Sequence, residues 1–232
     1  MFAEHSANLI LVARRSDKLE KLSVKLADKY KVKCLAAKLD VRERPEVADF
    51  IENLPDEFGN IDILINNAGL ASGFDPMQEA DFADWDKMID TNINGLLNIT
   101  RYVVPQMIER GTGHIINIGS IAGRQVYPKG GVYCASKFAV RAINQGLAID
   151  LMDTAIRVSS VDPGLAETEF AMVRFEGDAE KASGVYEGMT PLSGMDVAEA
   201  VLFVASRPSH VNIGDMLILP SDQASAYHVH RE

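Results

Sequence analysis

A chain of 232 residues, 47% hydrophobic and 24% charged, has the make-up of one large folded α/β domain. Its formal charge of −10 argues against general nucleic-acid binding and against an anionic membrane surface, but not against a small anion held by a local cationic cluster. Cys34 and Cys134 show no Cys-x-x-Cys spacing, so they are expected to be reduced thiols rather than a zinc site or a redox pair.

In chain order, the opening MFAEHSANLILVARR places Glu4 ahead of an apolar stretch too short for a secretory signal. No later run approaches the roughly 18 apolar residues of a membrane helix, so a cytoplasmic protein is expected. NLILVA (8–13) predicts a buried strand. Leu19, Leu22 and Leu26 then share one face of a helix over 16–30, with Ser16 as its N-cap. VKCLAAKLDV (32–41) predicts a strand, PEVADFIENL (45–54) a helix, and IDILINNAG (61–69) a strand running into a small polar loop. A long helix over 82–109 contains Asn92 and Gly95. GHIINIGS (113–120) is the next strand, followed by a helix bearing Tyr133 and Lys137. IRVSSVDPG (156–164) and GDMLILP (214–220) are the last strands, with a helical pattern near 193–206 between them.

Short strands alternating with longer helices imply a single domain over 1–232, an α/β fold with a parallel sheet and helices on both faces. Ligands in such sheets sit beyond the carboxyl ends of the strands. That rule gathers Arg14 and Arg15, Asp40, Asn66 and Asn67, Gly119 and Ser120, and the DPGLAET stretch along one edge.

Tyr133 and Lys137 are one helical turn apart and face the same small volume. A free phenol, with a pKa near 10, is too weak an acid to give up its proton readily at neutral pH. A fixed ammonium beside it favours the phenolate; a pKa of 7 requires about 4 kcal/mol of differential stabilisation. A serine hydroxyl at the preceding strand end, Ser120, would hold the oxygen that gains or loses the proton. These are the parts needed to interconvert a carbinol and a carbonyl. On spacing alone Tyr-x-x-x-Lys is a weak signal, because surface pairs at that spacing are common.

NNAG at 66–69, TNINGL at 91–96, INIGSIAG at 116–123, YCASK at 133–137 and DPG at 162–164 supply the missing specificity. Jointly, and in this order, they make the chain resemble the short-chain dehydrogenase/reductase family over essentially its whole length. The resemblance implies a doubly wound, three-layer Rossmann-like fold. It implies Ser120, Tyr133 and Lys137 as a catalytic triad, with Asn92 as a fourth member where a break in helical hydrogen bonding holds a water in a proton relay. It also implies a nicotinamide cofactor, since no side chain accepts hydride. Asp40 would then meet the adenine amine and Val41 the ring, while Asn67, Ala68 and Gly69 line the adenosine. Pro163, Gly164 and Thr168 would lie at the nicotinamide end, beside Tyr133 and Lys137.

An acidic residue at the end of the strand over 8–13 would select NAD by accepting its ribose 2′-hydroxyl. Ala13 stands there instead, followed by Arg14, Arg15 and, a turn later, Lys18. Planar guanidinium donors suit a 2′-phosphate, so NADP is expected; otherwise these cations merely solvate a loop. The family's opening strand and glycine-rich turn, which receive the pyrophosphate at a helix N-terminus, have no counterpart here, for no glycine precedes Gly59. Such a chain is expected to lack the first strand of the sheet, leaving two inner edges unpaired. Three accounts stand: a truncated form of a longer protein, which we expect; a natural variant with weakened cofactor binding; or another segment filling the gap. Taken as it stands, the chain should bind cofactor poorly and be marginally stable.

The segment TEFAMVRFEGD (168–178), the strand region 210–220 and the tail AYHVHRE resemble a subgroup acting on small 3-hydroxy acids such as serine, allo-threonine or 3-hydroxypropionate, or on malonic semialdehyde. Such an acid needs a cation; Arg174 is the first candidate and Arg124 the second, unless each is a solvated surface arginine. The family resemblance implies a homotetramer built on the long helices near 82–109 and 132–152 and on the last strand. The rival function is a catalytically impaired nucleotide-binding or assembly protein that keeps the scaffold without the glycine-rich loop. No metal is expected.

Overall fold

In the computed structural model, which describes residues 1–232, the polar ends of the predicted strands are trimmed into loops and the hydrophobic middles remain paired. β1 (Leu9–Ala13) and β2 (Cys34–Lys38) form a parallel two-stranded sheet. β3 (Ile63–Asn66), β4 (Gly113–Ile118), β5 (Ile156–Pro163) and β8 (Asp215–Ile218) form a second, four-stranded parallel sheet in the order β3-β4-β5-β8. A short parallel pair, β6 (Ala166–Glu167) with β7 (Leu192–Ser193), lies outside both.

The helices between them are α1 (Ser16–Tyr30), α2 (Arg44–Glu52), α3 (Phe82–Ile89), α4 (Leu96–Arg110), α5 (Gly131–Asp150), α6 (Glu169–Arg174), α7 (Ala179–Gly184) and α8 (Gly194–Ala205). Ser16 is the first residue of α1 rather than its cap; Arg15 holds the N-cap position and makes no capping bond. The helix expected over 82–109 is broken in its middle. Asp90–Gly95 form a π-turn between α3 and α4, widening the helix by one residue.

Strand alternation makes the molecule three layers deep. Ile115 and Ile116 are both fully buried neighbours on β4, and their side chains point to opposite faces. Ile115 packs with Val47 of α2, with Val103 and Met107 of α4, and with Val158. Ile116 packs with Val161 and with Val201 and Val204 of α8. Each such side chain contributes about 1.5–3 kcal/mol by leaving water.

β1 is paired only with β2, and β3 only with β4, so each keeps one unpaired edge, in line with the expectation from sequence. The cost shows in burial. Leu9–Val12 and Ile63–Ile65 are only half-buried, whereas His114–Asn117 of β4 are fully covered.

Carboxamides bind the deep end of the sheet. Asn66 and Asn117 are paired in register across β3 and β4. Asn66 Nδ2 donates to Asn117 Oδ1 (2.9 Å) and Thr100 Oγ1 (3.1 Å), and Asn117 Nδ2 donates to Asn144 Oδ1 of α5 (2.9 Å). This ladder crosses from strand to helix just below the site.

Candidate active site

Two strand ends and one helix bring the predicted triad together. Ser120 lies two residues beyond the end of β4; its Oγ accepts from Ala122 N (3.1 Å) and donates toward Pro163 O (3.5 Å) at the end of β5. Tyr133 and Lys137 project from the first turns of α5, both buried. Lys137 Nζ donates to Ile118 O (2.9 Å), the last carbonyl of β4. Asn92 sits in the π-turn, 2% exposed. Its Oδ1 accepts from Leu70 N (2.8 Å), and its Nδ2 donates to Leu70 O (2.8 Å) and Ser136 Oγ (2.9 Å). Gly69 is where these groups meet: a Cβ there would lie 3.3 Å from Asn92 Oδ1 and 3.5 Å from Lys137 Nζ.

Electrostatically the phenol departs from expectation. Burial pushes the Tyr133 pKa up, well above the usual phenol range; Ser120 and Arg174 pull it down by less. Phe170 stacks edge-on against the ring at 5.6 Å and Arg174 stands 6.0 Å from it, so α6 shuts water out. The Lys137 ammonium, expected to offset this, turns instead to the Ile118 carbonyl. Its own pKa is lowered by burial to about 8, against the opposing field of Asp162.

The two arginines proposed for a substrate acid have different fates. Arg174 faces the same volume as Tyr133, with Nε donating to Gly73 O (3.2 Å) and Nη1 to Tyr127 OH (3.0 Å). It shares a cleft with Ser72, Asp84, Trp85, Lys129 and Tyr133. Arg124 is already paired with two carboxylates. Its Nε (2.9 Å) and Nη2 (2.7 Å) donate to Asp162, and Nη2 also donates to Asp215 (2.7 Å).

The residues expected to hold a dinucleotide lie along the same edge. Arg14 and Arg15 are exposed at the end of β1, and the Asn67–Gly69 loop is exposed at the end of β3. Arg15 and Lys18 both reach Glu169 at the start of α6 (2.6 Å each), which holds that carboxyl down at about 2. Asp40 is engaged locally: Arg42 donates to both its oxygens and holds its carboxyl below the usual range. Val41 packs against the π-turn, where a Cβ on Gly95 would come within 2.5 Å of its Cγ2. Pro163 ends β5 beside Ser120 and Gly164 follows it, and Thr168 caps α6 by accepting from Phe170 N (3.2 Å). Cations and an open loop therefore fit the adenosine end, and the Gly69–Lys137 convergence fits the nicotinamide end. A glycine-rich cradle for the pyrophosphate is not among these residues.

Asp162, Tyr127 and Phe170 also stand beside these groups. The sequence marks Asp162 only as part of the DPG motif, and nothing in local pattern marks the two aromatics.

Comparison with known proteins agrees with this geometry. The family profile described as short chain dehydrogenase matches residues 1–179. An "NADP-dependent 3-hydroxy acid dehydrogenase" of Schizosaccharomyces pombe is 46% identical over 97% of this chain and 86% of its own length. "Sulfoacetaldehyde reductase 2" of Chromohalobacter salexigens is 44% identical over 100% of this chain and 92% of its own. A solved structure described as the closed form of serine dehydrogenase complexed with NADP+ superposes with a TM-score of 0.93 at 44% identity, covering 100% of this chain and 92% of that one.

Proposed function

The chain belongs to the short-chain dehydrogenase family, and from that premise we propose that it is an NADP-dependent oxidoreductase interconverting the hydroxyl and carbonyl of a small 3-hydroxy acid. The observation that carries this reading is the meeting of Ser120, Tyr133, Lys137 and Asn92 around Gly69 at one sheet edge. The names borne by the relatives support dehydrogenase or reductase activity and lend nothing to a non-catalytic scaffold.

When bound, the nicotinamide supplies the hydride acceptor or donor that no side chain provides. The rest falls to the chain. Tyr133 exchanges a proton with the substrate oxygen, and Ser120 holds that oxygen in line with the phenol. Lys137 and Arg174 supply the positive field that must bring the buried phenol within reach of working pH. Asn92 fixes Leu70, and with it the loop whose Gly69 adjoins both catalytic groups; the π-turn around it provides the break that a water relay from Lys137 requires. Arg174 engages Nε and Nη1 within the protein, leaving Nη2 to bind the substrate's acid group. Arg14 and Arg15 hold the 2′-phosphate, Asp40, Val41 and Asn67–Gly69 the adenosine, and Pro163, Gly164 and Thr168 the nicotinamide end.

In this reading the enzyme is a homotetramer of the cytoplasm. Phe82, Leu97, Phe138 and Ile149 on α3, α4 and α5, with Met152 just beyond α5, support the assembly, being exposed apolar side chains. None of the helices is long and apolar enough to cross a membrane.

The test is NADPH absorbance with a panel of 3-hydroxy acids and their semialdehydes. Tyr133→Phe should lower turnover by about 100-fold to 10,000-fold, the usual worth of a general acid–base group. Unchanged turnover would refute the mechanism.

A further inference from the structure

The mechanism above gives no task to Asp162, which at 2% exposure is the only carboxylate among the buried side chains. A buried charge is costly unless it is paired, and this one is held by two residues, one after β4 and one on β5. Its Oδ2 accepts from Arg124 Nε (2.9 Å) and Nη2 (2.7 Å), and its Oδ1 accepts from Ser160 Oγ (2.5 Å). Arg124 Nη2 continues to Asp215 at the head of β8 (2.7 Å). The network thus ties the loop after β4 to the ends of β5 and β8.

Its position relative to the catalytic groups is what makes this more than a strut. A Cβ on Gly119 would fall 2.0 Å from Asp162 Oδ1, so the carboxylate lies hard against the backbone between Ile118 and Ser120. Ile118 carries the carbonyl that holds Lys137 Nζ, and Ser120 carries the substrate-facing hydroxyl. Two carboxylates share one guanidinium here, and the second, Asp215, is 45% exposed and screened by solvent. A net negative field therefore reaches Lys137 from β5. The other groups shown beside Lys137 Nζ are neutral: the Ile118 carbonyl, Asn92 from the π-turn and Gly69 from the loop after β3.

We propose that Asp162 is a positioning residue of the reaction: held by Arg124 and Ser160, it fixes the Gly119–Ser120 strand end and supplies the counter-charge that keeps buried Lys137 an ammonium. Without that charge, desolvation alone would govern the lysine and favour its neutral form, which cannot draw a proton off the phenol. Gly119 is required by the same contact, since any side chain there would displace the carboxylate. The catalytic meaning of this device rests on the function proposed above; the charge coupling itself does not.

The experiment is a 13C NMR titration of labelled lysine side chains in the cofactor-free protein, with the Lys137 signal identified by its loss in Lys137→Met. Asp162→Asn retains the shape and one acceptor oxygen but not the charge, and should lower the Lys137 midpoint by about one pH unit. Arg124→Gln strips the neutralising cation from the same carboxylate and should move the midpoint upward. Opposite displacements support the proposal. A midpoint that stays in place in whichever variant folds overturns it, since a merely structural contact would alter rates without moving this titration. Absence of NADPH turnover in the parent protein would refute the functional reading while leaving the titration intact.

Discussion

Replacing Asn92 with alanine isolates what the π-turn contributes. The carboxamide makes three bonds, to Leu70 N (2.8 Å), Leu70 O (2.8 Å) and Ser136 Oγ (2.9 Å). Ser136 keeps a partner after the change, because its hydroxyl also donates to Tyr133 O (2.7 Å). Leu70, 8% exposed, loses the partners of both its N–H and its C=O. A buried backbone group left without a partner costs about 1–3 kcal/mol. Two such groups, partly relieved by water entering the space vacated, put the loss near 3 kcal/mol. With a urea dependence of about 2–3 kcal/mol per molar for a chain of this size, the unfolding midpoint should fall by about 1 M. Chemical denaturation followed by circular dichroism measures this directly. A loss below about 1 kcal/mol would mean that the carboxamide is not holding Leu70, and the account of how the Gly69 loop is fixed would fail with it.

Other expectations follow from the same structure. His114 is 2% exposed and burial lowers its pKa to about 4 from an ordinary 6.5. The unfolded chain therefore takes up the proton first: this contribution to stability is whole above about pH 6.5 and is lost as pH falls toward 4, amounting to about 3 kcal/mol. By pH 5 about 2 kcal/mol of this is lost, so the urea midpoint should be lower there than at pH 7.5 by the matching amount, and His114→Asn should flatten that part of the slope. Arg15→Ala should weaken NADP relative to NAD by about 10-fold to 100-fold, the worth of one charge-assisted hydrogen bond; equal losses for both cofactors, measured by fluorescence titration, would remove Arg15 from the 2′-phosphate. Gly95→Ala should cost about 1–3 kcal/mol in a melting experiment, since its Cβ would sit 2.5 Å from Val41 Cγ2.

What the sequence discloses here follows from the range of the forces involved. The strands, α1 and the Tyr133–Lys137 spacing depend on local periodicity, and they were legible to within a few residues. The interruption of the helix over 82–109 was not visible as periodicity; it entered only through the resemblance carried by TNINGL, and the structure realises it as the π-turn. Arg124 illustrates the opposite limit. Nothing near it in the chain announces that Asp162 and Asp215, 38 and 91 residues away, will claim its guanidinium. The state of the Tyr133 phenol was also beyond reach, because it is set by how closely Phe170 and Arg174 cover it. Residue identity proposes a chemistry; packing at long sequence distance decides the starting charge state.

The carboxamide ladder through Asn66, Asn117 and Asn144 bears on how this chain finds one alignment among many. Leucine and isoleucine tolerate sliding, since one greasy contact resembles the next. Amides do not: a strand displaced by a single residue would turn Asn66 or Asn117 to the opposite side and strand its partner in a dry interior, at about 1–3 kcal/mol for each orphan. The ladder thus works as a vernier for the growing sheet, penalising near-miss topologies during assembly more than it rewards the finished one.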